Sequence, residues 1–129
     1  MTLIDAVAML ALLQYLFFTV LVGRARVRGH VQAPAVSGDE GFERAYRVQM
    51  NTLELLIALL PALYVAARYW PAAYVAGAGV VFLVGRLIYW RAYLSDPNRR
   101  SLGFALSILP VLVLVLASLG GALAALRPN

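Results

Sequence analysis

The chain has 129 residues, of which 63% are hydrophobic and 13% charged, and its mean hydropathy is +0.81. A soluble domain of that length leaves too much of its surface wet to hide so much apolar area, so composition excludes a water-soluble globule and predicts a small integral membrane protein. All eleven basic residues are Arg, against six acidic ones, giving a net charge of +5. The absence of Cys excludes disulfides, zinc–thiolate sites, iron–sulfur clusters and thiol chemistry by the protein's own side chains.

A membrane-spanning helix needs about 20 mostly apolar residues. Four stretches qualify, and they predict an all-α, four-helix membrane bundle in a single domain, with helices at about 3–23, 45–69, 72–94 and 98–126. The first lacks the basic start of a cleavable signal peptide, carries Asp5 there and is apolar for too long, so it reads as a retained helix. Gln14, midway along it, is expected to hydrogen-bond across helices. Residues 24–43 read as the one real loop, holding Arg24, Arg26, Arg28 and His30, the last with no partner spaced for metal binding. Tyr69-Trp70-Pro71 marks a tight turn at a membrane surface. In the third connection Asp96 is the expected N-cap and Pro97 the expected first helical residue of the fourth helix. Gly77, Gly79, Gly120 and Gly121 suggest close helix packing, and Pro110 a kink. No metal-ligand cluster, phosphate-binding glycine loop or Ser-His-Asp arrangement is present in the sequence.

Four spans put both termini on one side of the membrane. The first and third connections, on the other side, carry Arg24, Arg26, Arg28, Arg44, Arg47, Arg91, Arg99 and Arg100, while the terminal side has only Arg68 and Arg127. The positive-inside rule then makes the Arg-bearing connections cytoplasmic and places both termini outside.

The clean apolar runs of the second and third helices, 55–67 and 72–85, are each too short for a hydrocarbon core of about 30 Å. Polar residues on their cytoplasmic sides are therefore drawn to membrane depth. At 100° per residue, Arg44, Arg47, Asn51 and Glu54 share an arc of about 80°, and Arg86, Tyr89 and Tyr93 one of about 60°. Gln49 lies off that stripe and should meet a different neighbour. A purely structural reading makes this an ion-pair network, Glu54 with Arg47 or Arg86, tying helices together. The count favours more: Arg44, Arg47 and Arg86 have only Glu54 as a deep acidic partner, and the surplus cations suit an anionic ligand reached from the cytoplasm. Arg99 and Arg100, in the expected first turn of the fourth helix, oppose its dipole; together with the helix N-terminus they would stabilise an anion, a thiolate included.

The spacing E-R-x-x-R-x-Q-x-N-x-x-E from Glu43 to Glu54, Gly85-Arg86-Leu87-Ile88-Tyr89-Trp90-Arg91-Ala92-Tyr93, and the pair Arg99-Arg100 resemble the second-, third- and fourth-helix motifs of the MAPEG family, the membrane-associated proteins of eicosanoid and glutathione metabolism. The resemblance implies a homotrimer with glutathione, the co-substrate, bound between neighbouring subunits near the cytoplasmic face. Carried over by position, it implies that Arg47, Gln49, Asn51 and Glu54 hold the backbone and charged ends of glutathione, that Tyr89 and Tyr93 add phenol hydrogen bonds, and that Arg26, or Arg24, reaches a carboxylate. Arg100 matches the family arginine that stabilises the glutathione thiolate, with Arg99 the adjacent alternative. Leu55 follows the motif glutamate where leukotriene C synthase has Tyr, which argues against that enzyme's substrate, and the Asn51-x-Leu53-Glu54 wording looks closer to the microsomal glutathione transferase branch.

The function implied is a membrane glutathione transferase, conjugating a lipophilic molecule or lipid, or reducing a peroxide, with glutathione and needing no metal. The expected partners are a second and third copy of the chain, glutathione, a hydrophobic small molecule and membrane lipids, with no nucleic acid. The alternative is a non-catalytic protein on the same fold that binds lipids or partners. Small four-helix multidrug transporters keep their key Glu in the first helix, whereas Glu54 lies in the second among Arg residues that repel cationic drugs.

Overall fold

Each apolar stretch folds as one helix in the computed structural model, which describes residues 1–128: α1 (Thr2–Gly29), α2 (Glu40–Tyr69), α3 (Ala72–Ser95) and α4 (Ser101–Ala125). A single 3-10 turn, Pro97–Arg99, sits between α3 and α4, and the described residues contain no strand. All four helices are long and apolar enough to cross a membrane.

The ends facing the first and third connections differ from the sequence expectation. α1 runs six residues past 23, so Arg24, Arg26 and Arg28 lie on a helix rather than in a loop. Arg is a good helix former, and cations in the last turn complement the helix dipole. The helix stops where His30 turns left-handed (φ 54°, ψ 40°) and its amide closes back on the last turn. α2 starts at Glu40 instead of about 45, because Asp39 caps it by accepting the Phe42 amide at 2.9 Å, with Glu40 and Glu43 in the first turn. The true loop is only 30–39. Replacing Asp39 with Ala should lower stability by about 1 kcal/mol, the usual worth of an N-cap, read as a lower thermal midpoint of the detergent-solubilised protein. Asp96 does cap the third connection, accepting the Asn98 amide at 3.0 Å, but what it caps is the 3-10 turn. α4 proper begins at Ser101 and Arg100 occupies its N-cap position.

In lipid, outward leucines gain nothing by leaving their surroundings, so helices associate through close packing and interhelical hydrogen bonds. The core runs through all four helices, from Ile4, Ala8 and Ala11 on α1 to Leu59 and Leu63 on α2, Phe82 on α3 and Val111 and Leu114 on α4. Polar clamps span it. Gln14 Nε2 donates to the Leu83 carbonyl at 2.9 Å, Tyr64 to Asp5 at 2.9 Å, and Ser118 to the Ala62 carbonyl at 3.1 Å.

The glycines divide differently from the sequence expectation. Gly79 faces Val7 and Gly121 faces the Tyr69 ring, whereas Gly77 and Gly120 have open space where a Cβ would stand. The approaches onto a neighbour's backbone lie between α3 and α4, at two glycines that sequence reasoning did not assign to packing. A Cβ on Gly85 would sit 2.7 Å from the Leu106 carbonyl carbon, and one on Gly103 would overlap the Tyr89 backbone nitrogen and Cα. Pro110, inside α4, cannot donate to the Leu106 carbonyl four residues back, and it is this carbonyl that lies against Gly85.

Candidate functional site

At the end of the bundle where α3 finishes and α2 and α4 begin, a cavity of about 480 Å³ opens between these three helices. That volume is within the range of small-molecule sites, about 300–1,000 Å³. Its walls are Arg47, Asn51 and Glu54 from α2, Tyr89 and Tyr93 from α3, and Arg100 and Phe104 from the start of α4. Each helix contributes one face, at i, i+4 and i+7 on α2 and at i, i+4 on the others. Tyr89 and Tyr93 stack with centroids 5.5 Å apart and planes at 20°, and Phe104 tilts against Tyr89 at 6.5 Å. Tyr89 is buried, and the lack of a side chain on Gly103 lets α4 lie directly on its backbone. That contact fixes how far Arg100 and Phe104 stand from the tyrosine pair.

Charge in the cavity is two guanidiniums, Arg47 and Arg100, and one carboxylate, Glu54. Arg100 donates from Nη1 to the Pro97 carbonyl at 2.9 Å, which braces its head against the 3-10 turn while its other donors stay free of that contact. It also stands at the positive end of the α4 dipole. Arg99, the adjacent alternative to Arg100, belongs to the 3-10 turn and is not part of the cavity wall.

Other candidates lie elsewhere. Arg44 forms an ion pair with Glu40 and donates to the Leu94 carbonyl at 2.9 Å, so it is spent on tying α2 to the end of α3. Arg86 shares the α3 stripe with Tyr89 but is fully buried behind the cavity, bonded to Asn51, Thr52 and Ser107. Glu54 makes no ion pair with Arg47 or Arg86 among the described residues, so the ionic network of the purely structural reading is absent there; neutral oxygens hold Arg86 instead. Gln49, expected off the stripe, donates to Thr19 of α1 at 3.0 Å. Arg26 donates to the Ala35 carbonyl at 2.7 Å and lies over the Phe42 ring, 4.6 Å from its centroid. Arg24 and Arg28 line a separate hollow with Trp90 and Leu94. Within the chain, then, Gln49, Arg24 and Arg26 stand apart from the cavity. Phe104 was missed, although its place one turn after Arg100 was a usable signal. Thr52 and Ser107, the buried partners of Arg86, gave no sign in the sequence beyond being hydroxyls in apolar surroundings.

The sequence profile of the MAPEG family matches residues 4–120. The chain belongs to the MAPEG family. It is an integral, multi-pass membrane protein, all-helical like the rest of that family. It is 35% identical to human microsomal glutathione S-transferase 2 over 119 residues, 92% of this chain and 81% of the relative. Against guinea-pig (Cavia porcellus) leukotriene C4 synthase the figure is 34% over 119 residues, 92% of this chain and 79% of the relative. An uncharacterized protein of Synechocystis is 43% identical over 110 residues, 85% of this chain and 80% of its own.

Proposed function

We propose that this MAPEG protein is a membrane glutathione transferase that binds glutathione in the cavity between α2, α3 and α4. The observation that carries the reading is the charge pattern of the wall, two guanidiniums and one carboxylate beside two phenols. Glutathione offers the complement: two carboxylates, one ammonium, two peptide units and a thiol. Arg47, Asn51 and Glu54 hold the peptide and its charged ends, and Tyr89 and Tyr93 supply hydroxyls. Arg100, at the α4 N-terminus, stabilises the thiolate.

The thiol proton leaves to water. The sulfur lone pair then attacks the electrophilic carbon of a lipophilic substrate arriving from the bilayer, forming a C–S bond as the leaving group departs with its electron pair. With a peroxide, the same thiolate attacks oxygen and releases the alcohol, and a second glutathione reduces the sulfenic acid to disulfide and water. Gln49 and Arg26 lie on faces away from their own protomer's cavity. They reach glutathione only from a neighbouring copy, which fits assembly as a homotrimer with the site between subunits. In this reading the site opens toward the cytoplasmic face and both termini lie outside, which the distribution of Arg supports.

The test is a titration of the full-length, detergent-purified protein with glutathione at neutral pH, following thiolate absorbance in the ultraviolet, with turnover of aryl halides and lipid hydroperoxides measured in parallel. Saturable thiolate formation with turnover of at least one electrophile is expected. No saturable binding would sink the proposal, and binding without turnover on any acceptor would favour the non-catalytic alternative.

A further inference from the structure

Among the described residues Arg86 is the only charged side chain withdrawn completely from solvent. It lines no part of the cavity, yet it touches two residues that do. Its Nη1 donates to Oδ1 of Asn51 at 2.7 Å and to Oγ1 of Thr52 at 3.2 Å, and its Nε donates to Oγ of Ser107 at 2.9 Å. Its guanidinium carbon stands 4.3 Å from the centroid of the Tyr89 ring. The two hydroxyl partners are held as acceptors: Thr52 spends its proton on the Val48 carbonyl at 2.8 Å and Ser107 on the Gly103 carbonyl at 2.6 Å. Each of the three hydrogen-bonding atoms that reach its Nε and Nη1 is therefore an acceptor oxygen, the aromatic rings supplying the rest of the shell and Nη2 having no partner among the described residues.

A carboxamide has a donor end and an acceptor end that exchange by a half-turn, whereas a guanidinium has donors only. An Asn facing Arg86 turns its oxygen inward, because the opposite orientation sets its N–H groups against an Nη1 N–H and removes the shorter of the two acceptors that nitrogen has. With Oδ1 so occupied, Nδ2 is the end of Asn51 available to the cavity that it lines. We propose that Arg86 is a positioning residue that locks the Asn51 carboxamide with its N–H donors toward the cavity, so that the ligand group seated at Asn51 is an acceptor, a carboxylate or peptide carbonyl. The inference rests on glutathione being the ligand. It excludes the glutathione ammonium group from that position and makes Asn51 a specificity element, not merely a polar wall.

Two substitutions in the full-length protein test this, each with a melting temperature and a glutathione binding isotherm. Asn51→Asp keeps the shape and gives Arg86 a stronger acceptor, so the melting temperature holds or rises while the donors toward the ligand vanish. The dissociation constant for glutathione is expected to rise tenfold or more, the scale of one hydrogen bond to a charged group. Arg86→Lys keeps the charge but cannot bond Asn51 and Ser107 in one planar fork. It is expected to raise KM for glutathione severalfold, out of proportion to any fall in kcat. Wild-type affinity in Asn51→Asp would overturn the proposal. So would an Arg86→Lys protein that melts earlier but binds glutathione as tightly as before, the mark of a purely structural arginine. If the unmodified protein binds no glutathione, the functional reading fails first, and this inference falls with it.

Discussion

Replacing Arg100 with Ala is expected to remove thiolate formation at neutral pH and to lower kcat about 100-fold, the usual loss when one preorganised stabiliser of a developing anion is deleted. The two effects are separable, because lowering a thiol pKa both raises the thiolate fraction and weakens the thiolate as a nucleophile. If Arg100 brings bound glutathione from about 8.5, the ordinary thiol value, to about 7, the thiolate fraction at pH 7 rises about 16-fold. A Brønsted slope of about 0.4–0.5 returns about 5-fold of that, so ionisation alone accounts for only about a 3-fold gain in rate. The remainder of a 100-fold loss must come from holding sulfur in an attacking position, which a guanidinium braced on the Pro97 carbonyl is placed to do.

The sign of the pH dependence follows. The reactive form is deprotonated, so the activity of the unmodified protein rises with pH through about 7, whereas in Arg100→Ala it rises through about 8.5. Above pH 9 both proteins hold thiolate, so the roughly 16-fold ionisation advantage disappears and the deficit of about 100-fold shrinks to about 6-fold, the positioning share less the Brønsted factor. Arg99→Ala is the matched control: it removes the same charge from the adjacent turn but touches no cavity wall, and should keep thiolate formation. Unchanged thiolate absorbance in Arg100→Ala would remove Arg100 from the mechanism.

What the sequence disclosed and what it withheld follow from the range of the forces involved. The four spans were legible because a 30 Å apolar slab imposes a length on every helix, and the period of 3.6 placed Arg47, Asn51 and Glu54 on one face and Tyr89 with Tyr93 on another. The helix ends were not, because hydropathy marks where the apolar slab stops rather than where backbone hydrogen bonding stops; Arg24, Arg26 and Arg28 continue α1 at no cost once it leaves the slab. Periodicity also could not tell Arg86 from Tyr89. They stand three residues apart on one stripe, but Ser107 of α4 and Thr52 of α2 draw the arginine behind the cavity wall. Arg44 was likewise claimed by the nearest acid, Glu40, once α2 began early enough to make it helical. Apart from the overrun of α1, each departure involves a partner on another helix, or a helix start set by a cap.

A second large effect is expected at Gly103. A Cβ there would overlap the Tyr89 backbone nitrogen and Cα and lie 2.8 Å from its Cβ. These atoms belong to the frame of a buried residue and have no rotamer through which to escape, unlike the end of a flexible side chain. Gly103→Ala must therefore push α4 off α3. Overpacking costs about 1–3 kcal/mol where side chains can adjust, and a backbone contact puts this substitution at about 3 kcal/mol. Small residues at helix crossings are also the chief means by which membrane helices approach.

The displacement falls between the two walls of the cavity, with Tyr89 on one side and Arg100 and Phe104 on the other, so stability and glutathione affinity should fall together, the affinity by at least tenfold. Gly85→Ala strikes the same helix pair through Leu106, 2.7 Å away, but one turn further from the cavity. It should cost comparable stability and less affinity. Gly120→Ala meets nothing within 4 Å, and should be within about 0.5 kcal/mol of the unmodified protein or slightly more stable, since Ala is the better helix former. Thermal unfolding in detergent orders the three for stability, and glutathione isotherms below all transitions order them for affinity. If Gly103→Ala melts and binds like the unmodified protein, α4 does not rest on the Tyr89 backbone, and the spacing from Arg100 to the tyrosine pair is set by something else.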